Sequence, residues 1–286
     1  MSCQKSGAAS ATMSCVPLRK MRSTHATGIA SPGTFNHRVT GGIVRLFRPL
    51  LKMNMMAYRI EMSNALFPAG PPEGEVDAPE PSRILFVGDA AVAGYGVLNH
   101  GLAVVSQTAR YVAREHNTGC SWTAITDTEL TMSRASTAVA AVTTDVDVVV
   151  VILGPPDVLL GTTAKEWSTH LRQLISAVRQ GPDPECPVVV AAIPPMYRLN
   201  PMPRFVQRIL ALQIHRLNRS SLQVADSFSG VTYSPFPRLE TRTDFVQDGF
   251  NWPRQHSRWG KQLGSTTALA LSSRYPTGDG TPGHDD

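Results

Sequence analysis

Ile84-Leu85-Phe86-Val87-Gly88-Asp89-Ala90-Ala91-Val92-Ala93-Gly94-Tyr95-Gly96 is the stretch on which the fold of this 286-residue chain turns. Arg83 to Val87 is a short apolar run that ends in Gly88-Asp89, as a buried parallel strand running into a turn should. A helical stripe follows over Gly101 to His116, with Leu102, Val105, Ala109 and Val112 on one side. From there the two periods keep alternating. Trp122 to Thr126 and Val146 to Leu153 are predicted strands, the second almost wholly Val, Ile and Leu. Trp167 to Gln180 is amphipathic, through Leu171, Leu174, Ile175 and Val178. Pro187 to Ile193 is a further strand, Phe205 to Ser221 a helix, Val231 to Phe236 a fifth strand, and Ser257 to Ser272 a closing helix. Strands alternating with helices imply parallel strands joined by right-handed crossovers. The expected fold is α/β, a three-layer α/β/α sandwich around a five-stranded, mostly parallel sheet.

Hydrophobic residues make up 42% of the chain, ample for a core. The net charge of +5 is unevenly spread. Residues 1–60 hold nine Lys or Arg and no acid, residues 61–80 five acids and no base, and the remainder 18 basic against 17 acidic. The positive charge therefore sits in an N-terminal extension and does not describe a nucleic-acid face on the domain. Zinc-finger spacing, aromatic-interleaved basic strands and helix-turn-helix patterns are all missing, so no nucleic-acid partner is expected. Cys3, Cys15, Cys120 and Cys186 form no C-x-x-C pair and have no His at ligand spacing. Neither a disulfide framework nor a metal or other cofactor is expected.

The organisation reads as a basic, largely disordered extension (1–60), a Pro/Gly/acidic linker (61–81), the domain (82–273) and a disordered tail (274–286). The acid-free start, residues 1–40, reads either as a transit peptide or as untranslated sequence ahead of Met53, Met55 or Met56. No run of 18 apolar residues exists, and the best leader candidate, Gly41 to Leu51, is cut by Arg45, Arg48 and Pro49. A cytoplasmic protein is expected. Ile43 to Ile60, apolar and basic, reads as a helix on the domain edge or as a segment lying on an anionic membrane surface, interrupted in either case by Pro49.

In such a sheet the ligand crevice lies beyond the carboxyl ends of the strands. The stations that qualify are Gly88 to Gly96, Thr126 to Ser133, Gly154 to Asp157 and Asp248 to Gly260. At these stations the chain resembles the SGNH/GDSL hydrolases, whose fold is also flavodoxin-like. Ile84 to Gly96 is similar to their first block, which reads Gly-Asp-Ser, then an apolar stretch and a Gly. Leu153-Gly154-Pro155-Pro156-Asp157 is similar to the third block, normally Gly-x-Asn-Asp. Val189 to Pro195 resembles the strand and proline pair that follows in bacterial members, and Asp248-Gly249-Phe250 the start of the last block, normally Asp-x-x-His. The likeness covers about residues 82–273 and implies an ester-hydrolase ancestry with Gly88, Asp89, Gly154 and Asp157 around the crevice.

The departures bear on function. The resemblance puts the nucleophilic serine on Ala90, whose methyl attacks nothing, and residues 91–96 offer no substitute hydroxyl. It puts the oxyanion-hole Asn on Pro156, which donates from neither side chain nor backbone. The block-two Gly falls near Asp127 or Thr128, where there is none. The orienting carboxylate falls on Asp248 and the His on Asn251. His256 follows five residues later, either as a functional His displaced by an insertion of Trp252 to Gln255 or as a solvated residue of a polar loop. Gly94-Tyr95-Gly96 reads as turn glycine, because Asn99 stands where a dinucleotide fingerprint needs its third Gly. Asp89, Asp157 and Asp248 would make a metal site only if they met at the sheet edge. For Asp89 and Asp157 the alternative is holding turns and helix starts. Trp252, Trp259 and Phe250 are candidates for a pocket rim, with Trp259 equally suited to anchoring the last helix.

Three functions follow as expectations. One is a catalytically degenerate hydrolase-like protein that binds an ester-, lipid- or sugar-like ligand or a partner. Another is an active ester hydrolase using Asp248 and His256. The last is a membrane-peripheral or scaffold protein working through residues 43–60.

Overall fold

A computed structural model describes residues 48–142, 145–198, 202–239, 245–246 and 249–274. The start read as disordered (1–40), the tail from residue 275 on and Asp248 lie outside the described residues. Helix α1 (Arg48–Asn64) comes first, then strands β1 (Gly74–Val76) and β2 (Ser82–Gly88), helix α2 (Val104–His116) and β3 (Cys120–Thr126). Helix α3 (Met132–Ala140), β4 (Val148–Ile152), α4 (Pro155–Leu160), α5 (Ala164–Arg179) and β5 (Val188–Ala191) follow. The chain closes with α6 (Arg204–Ala225), β6 (Val231–Ser234), the short β7 (Phe245–Val246) and β8 (Gly249–Phe250), and α7 (Trp252–Arg274).

The main sheet runs β1-β3-β2-β4-β5-β6, with β1 antiparallel to β3 and every other pair parallel. Its five parallel strands have the flavodoxin-like order, in which the first strand sits between the second and third. Period-two alternation divides their side chains between two layers. Leu85, Val87, Val149, Val151, Val188 and Val190 pack under α1, α3, α5 and α6. Ile84, Phe86, Val148, Val150, Val189 and Ala191 pack under α2 and α7. Each such fully buried side chain contributes about 1.5–3 kcal/mol. The three-layer sandwich is thus the consequence of strands apolar on both faces.

The sheet has six strands where five are expected. The sixth, β1, comes from the Pro/Gly stretch read as linker, and three residues carry no readable period. Val76 takes its place by pairing with Cys120 and packing on the α2–α7 layer. Helix α3 is also unanticipated. It is short, and Thr131 starts it by accepting the Arg134 N–H at its side chain.

Over its described part, the basic segment before the linker is a helix on the domain edge. Pro49 does not interrupt α1 because it stands second in the helix, where no N–H is needed. Leu51, Met55 and Tyr58 are buried against the domain. The Tyr58 hydroxyl donates to the Thr128 carbonyl at 2.7 Å, and Arg59 grips both oxygens of Glu129. Being exposed, that ion pair contributes little, so burial of the apolar face holds α1 in place. Among the described residues no helix is long and apolar enough to cross a membrane.

Candidate functional site

At the carboxyl ends of β2 and β4, where the crossovers diverge to opposite faces, lies a cavity of about 110 Å³. This is the switch point at which open α/β sheets bind ligands. Ala90 forms part of the wall, only 6% exposed, with Pro155, Pro194, Met196, Met202 and Trp252 around it.

The loops that build it are locked by Asp89. Its Oδ1 accepts the Ala91 N–H at 3.3 Å and its Oδ2 the Gly154 N–H at 3.0 Å, so one carboxyl joins the turn after β2 to the turn after β4. Burial pushes this carboxyl up to about 7, against the pull of the two backbone bonds. Both turns depend on glycine. A Cβ on Gly88 would come within 2.5 Å of the Ile152 carbonyl oxygen, and Gly154 holds a φ of +151°. Asp157 has a similar duty, accepting the Met132 N–H and the Thr162 hydroxyl, each at 2.8 Å. Burial raises it to about 6. Both aspartates therefore hold turns and helix starts. Among the described residues no group of three or more His, Cys, Asp or Glu is placed to hold a metal ion.

Pro155 and Pro156 open α4, so its first two residues present no N–H to the cavity. Asp127 lies in the turn after β3, where it accepts the Glu129 N–H at 2.8 Å and pairs with Arg134 at 2.9 Å. A carboxylate in that turn opposes a developing oxyanion rather than stabilising it.

His256 is not in a polar loop, because α7 begins five residues earlier than expected. Asn251, where the resemblance puts the His, starts the helix by accepting the Arg254 N–H at 3.1 Å, and Pro253 fits its first turn. His256 is consequently carried inside, at 2% exposure. Its Nδ1 accepts the Val104 N–H at 3.0 Å, and its Nε2 lies 2.8 Å from the Tyr95 carbonyl oxygen, to which it must donate. Those partners assign the neutral tautomer. Burial pushes the ring down to about 4, outweighing the Tyr95 bond.

Of the rim candidates, Trp252 and Trp259 line the cavity, while Phe250 packs on Trp252 at 4.7 Å between ring centres. Trp259 also belongs to the buried layer under the sheet, so it does both jobs. Lining residues outside the stations read from the sequence include Tyr58, Glu61 and Met62 from α1 and Met196 and Met202 from the stretch between β5 and α6, while Gln255 falls inside the last station without a role assigned to it there. Glu61 accepts a hydrogen bond from the Tyr95 hydroxyl. The only local signal for Gln255 is a polar residue on the buried stripe of the last helix.

A family model for the GDSL-like lipase/acylhydrolases matches residues 86–263. No curated protein sequence matches the chain. Among solved structures, TesA aligns at 17% identity over 67% of this chain and 99% of its own, with a TM-score of 0.47. Est24, a carbohydrate acetylesterase from Sinorhizobium meliloti, aligns at 19% over 66% and 99%, also at 0.47. The salicylyl-acyltransferase SsfX3 from a tetracycline biosynthetic pathway aligns at 13% over 70% and 57%, at 0.48. Likenesses this distant carry no argument about chemistry. The matched span runs from the middle of β2 into α7 and takes in every described crevice residue except those of α1, and on that match the chain belongs to the GDSL-like lipase/acylhydrolase family.

Proposed function

We propose that this family member has lost serine hydrolysis and uses the cavity at the switch point to bind a ligand. The observation that carries the reading is the pairing of Ala90 in the cavity wall with a His256 whose two ring nitrogens are both taken by backbone groups. A base needs a free lone pair within reach of the proton it removes. The Nδ1 lone pair of His256 is occupied, and Nε2 already bears a proton. Pro156 in place of the oxyanion Asn removes a further donor. Loss of the nucleophile alone costs on the order of a million-fold in turnover.

The test is esterase activity of the full-length chain on short-chain p-nitrophenyl esters, with labelling by a fluorophosphonate alongside. Rates equal to buffer and no label are expected. A clear rate in the parent, lost in Asp248→Ala, would overturn the reading and mean that the chemistry had moved.

One further observation favours a membrane contact as a second role. Met53, Met56 and Ile60 are 70%, 67% and 58% exposed on the outward face of α1. They follow helical spacing, in a segment whose sequence flanks them with Arg48, Lys52 and Arg59. Co-sedimentation of the full chain with anionic vesicles is expected, and is expected to disappear in a Met53→Asp/Ile60→Asp double variant. Failure of the parent chain to sediment would remove this role.

A further inference from the structure

The wall of the cavity has a chemistry that an ester pocket does not need. Five aromatic side chains line it: Tyr58, Tyr95, Phe236, Trp252 and Trp259. Two pairs stand edge to face, Tyr95 with Trp252 at 4.7 Å and Phe236 with Trp259 at 4.9 Å between ring centres. Among them sits Glu61, one of whose carboxylate oxygens takes the Tyr95 hydroxyl while the other has no hydrogen-bond partner among the described residues. No Lys or Arg lines the cavity among the described residues, and His256 is neutral there. The resulting field is negative. Tyr58 lies within it: burial first, and then the carboxylates of Asp89, Glu61 and Glu129, raise its phenol above the usual range.

These features discriminate between ligands. An anion, including the carboxylate that any ester hydrolysis releases, is repelled. A neutral apolar molecule fills the space but leaves Glu61 uncompensated in the wall. A cation is attracted both by the carboxylate and by the negative faces of the rings, and a strongly hydrated ammonium gains less than one sheathed in alkyl groups. A second observation adds a polar end. Gln255, 2% exposed, has neither its Nε2 nor its Oε1 in a hydrogen bond, and the Trp259 Nε1–H is also without a partner among the described residues. A hydroxyl can accept from one of these donors and give its own proton to the Gln255 oxygen. The space available is of the same order as the ~150 Å³ engineered cavity that takes up benzene.

We infer that the cavity binds a small alkylated ammonium ion bearing a hydroxyl group, held by Glu61 and the aromatic wall at its charged end and by Gln255 and Trp259 at the other. The inference rests on the reading of this cavity as a binding site, and it names the ligand class.

The probes are choline, its neutral carbon isostere 3,3-dimethyl-1-butanol, and acetylcholine, titrated into the full-length chain. The fluorescence of Trp252 and Trp259 and titration calorimetry serve as readouts. Choline is expected to bind at least tenfold more tightly than the isostere, and Glu61→Gln to bring that ratio close to one. Equal affinities in the parent chain, binding of the isostere alone, or no binding of either would each overturn the inference. Acetylcholine separates this failure from that of the parent reading. Bound and recovered intact, it supports both; bound and cleaved to choline and acetate, it leaves the cation site standing and ends the non-hydrolytic reading. Sedimentation with phosphatidylcholine vesicles, competed by choline, would assign the ammonium to a lipid headgroup. Choline binding without sedimentation would assign it to a free solute.

Discussion

Replacing His256 with alanine is expected to remove about 3–5 kcal/mol of stability at neutral pH, an effect that belongs to the fold rather than to turnover. The imidazole bridges two backbone groups that nothing else satisfies, the Val104 N–H at the start of α2 and the Tyr95 carbonyl in the loop after β2. Each buried group left unpaired costs about 1–3 kcal/mol, and the lost ring leaves a void besides. The pH dependence gives the test its sign. Burial holds the folded ring at about 4, below the unfolded value of 6.5. Between those values only the unfolded chain takes up the proton, so the residue's contribution is complete above pH 6.5. It fades as pH falls towards 4, by an amount on the order of 3 kcal/mol. Asp89 and Asp157 work the other way. Their folded values, about 7 and about 6, exceed the ordinary carboxylate value of 3.8, so acidification stabilises the folded state through them. Being present in both proteins, they cancel in the difference. Urea unfolding of parent and variant at pH 7.5 and pH 4.5 should show a gap that shrinks at the lower pH. A pH-independent gap, or none, would contradict the neutral bridging role.

Gln255→Leu should act in the opposite direction, raising stability by about 1–3 kcal/mol while weakening choline binding at least tenfold. Leucine fills nearly the same volume. What it removes is a carboxamide whose nitrogen and oxygen are both buried without a partner in the ligand-free protein. That cost is borne continually when no ligand is bound, which is common at binding sites and rare elsewhere. Thermal melts with and without choline read out both halves. A variant less stable than its parent would mean that an ordered water already satisfies the amide. A stabilised variant with unchanged choline affinity would detach Gln255 from the ligand.

Much of this architecture is written in short stretches of the chain. Val148 to Ile152 is apolar at every position because both faces of β4 are covered, and that uninterrupted run is visible without neighbours. Helix α5 carries a stripe that reappears among its buried residues, and so does α2 through Val105, Ala109 and Val112, whereas Leu102 lies ahead of the helix and is exposed. Gly88-Asp89 ends β2 at a turn for a reason legible in residue types, since only glycine fits beneath the Ile152 carbonyl and a short carboxylate can cap the turn. Strand β1 and helix α3 escaped notice because their order depends on what they touch: Cys120 for one, the Asp157 carboxylate on its Met132 N–H for the other.

The chain alone therefore determined the layer order and the switch point, since each of these is a matter of local period and of the order in which strands and helices follow one another. Tertiary structure decided the state of His256 and the character of the cavity. Whether a histidine is solvated or neutral depends on what surrounds its ring, and Val104 lies 152 residues away from it. The cavity draws Glu61 from α1 and Gln255 from α7, near opposite ends of the described chain. A negative field and an unpartnered amide arise from proximity in space, which no short-range pattern encodes.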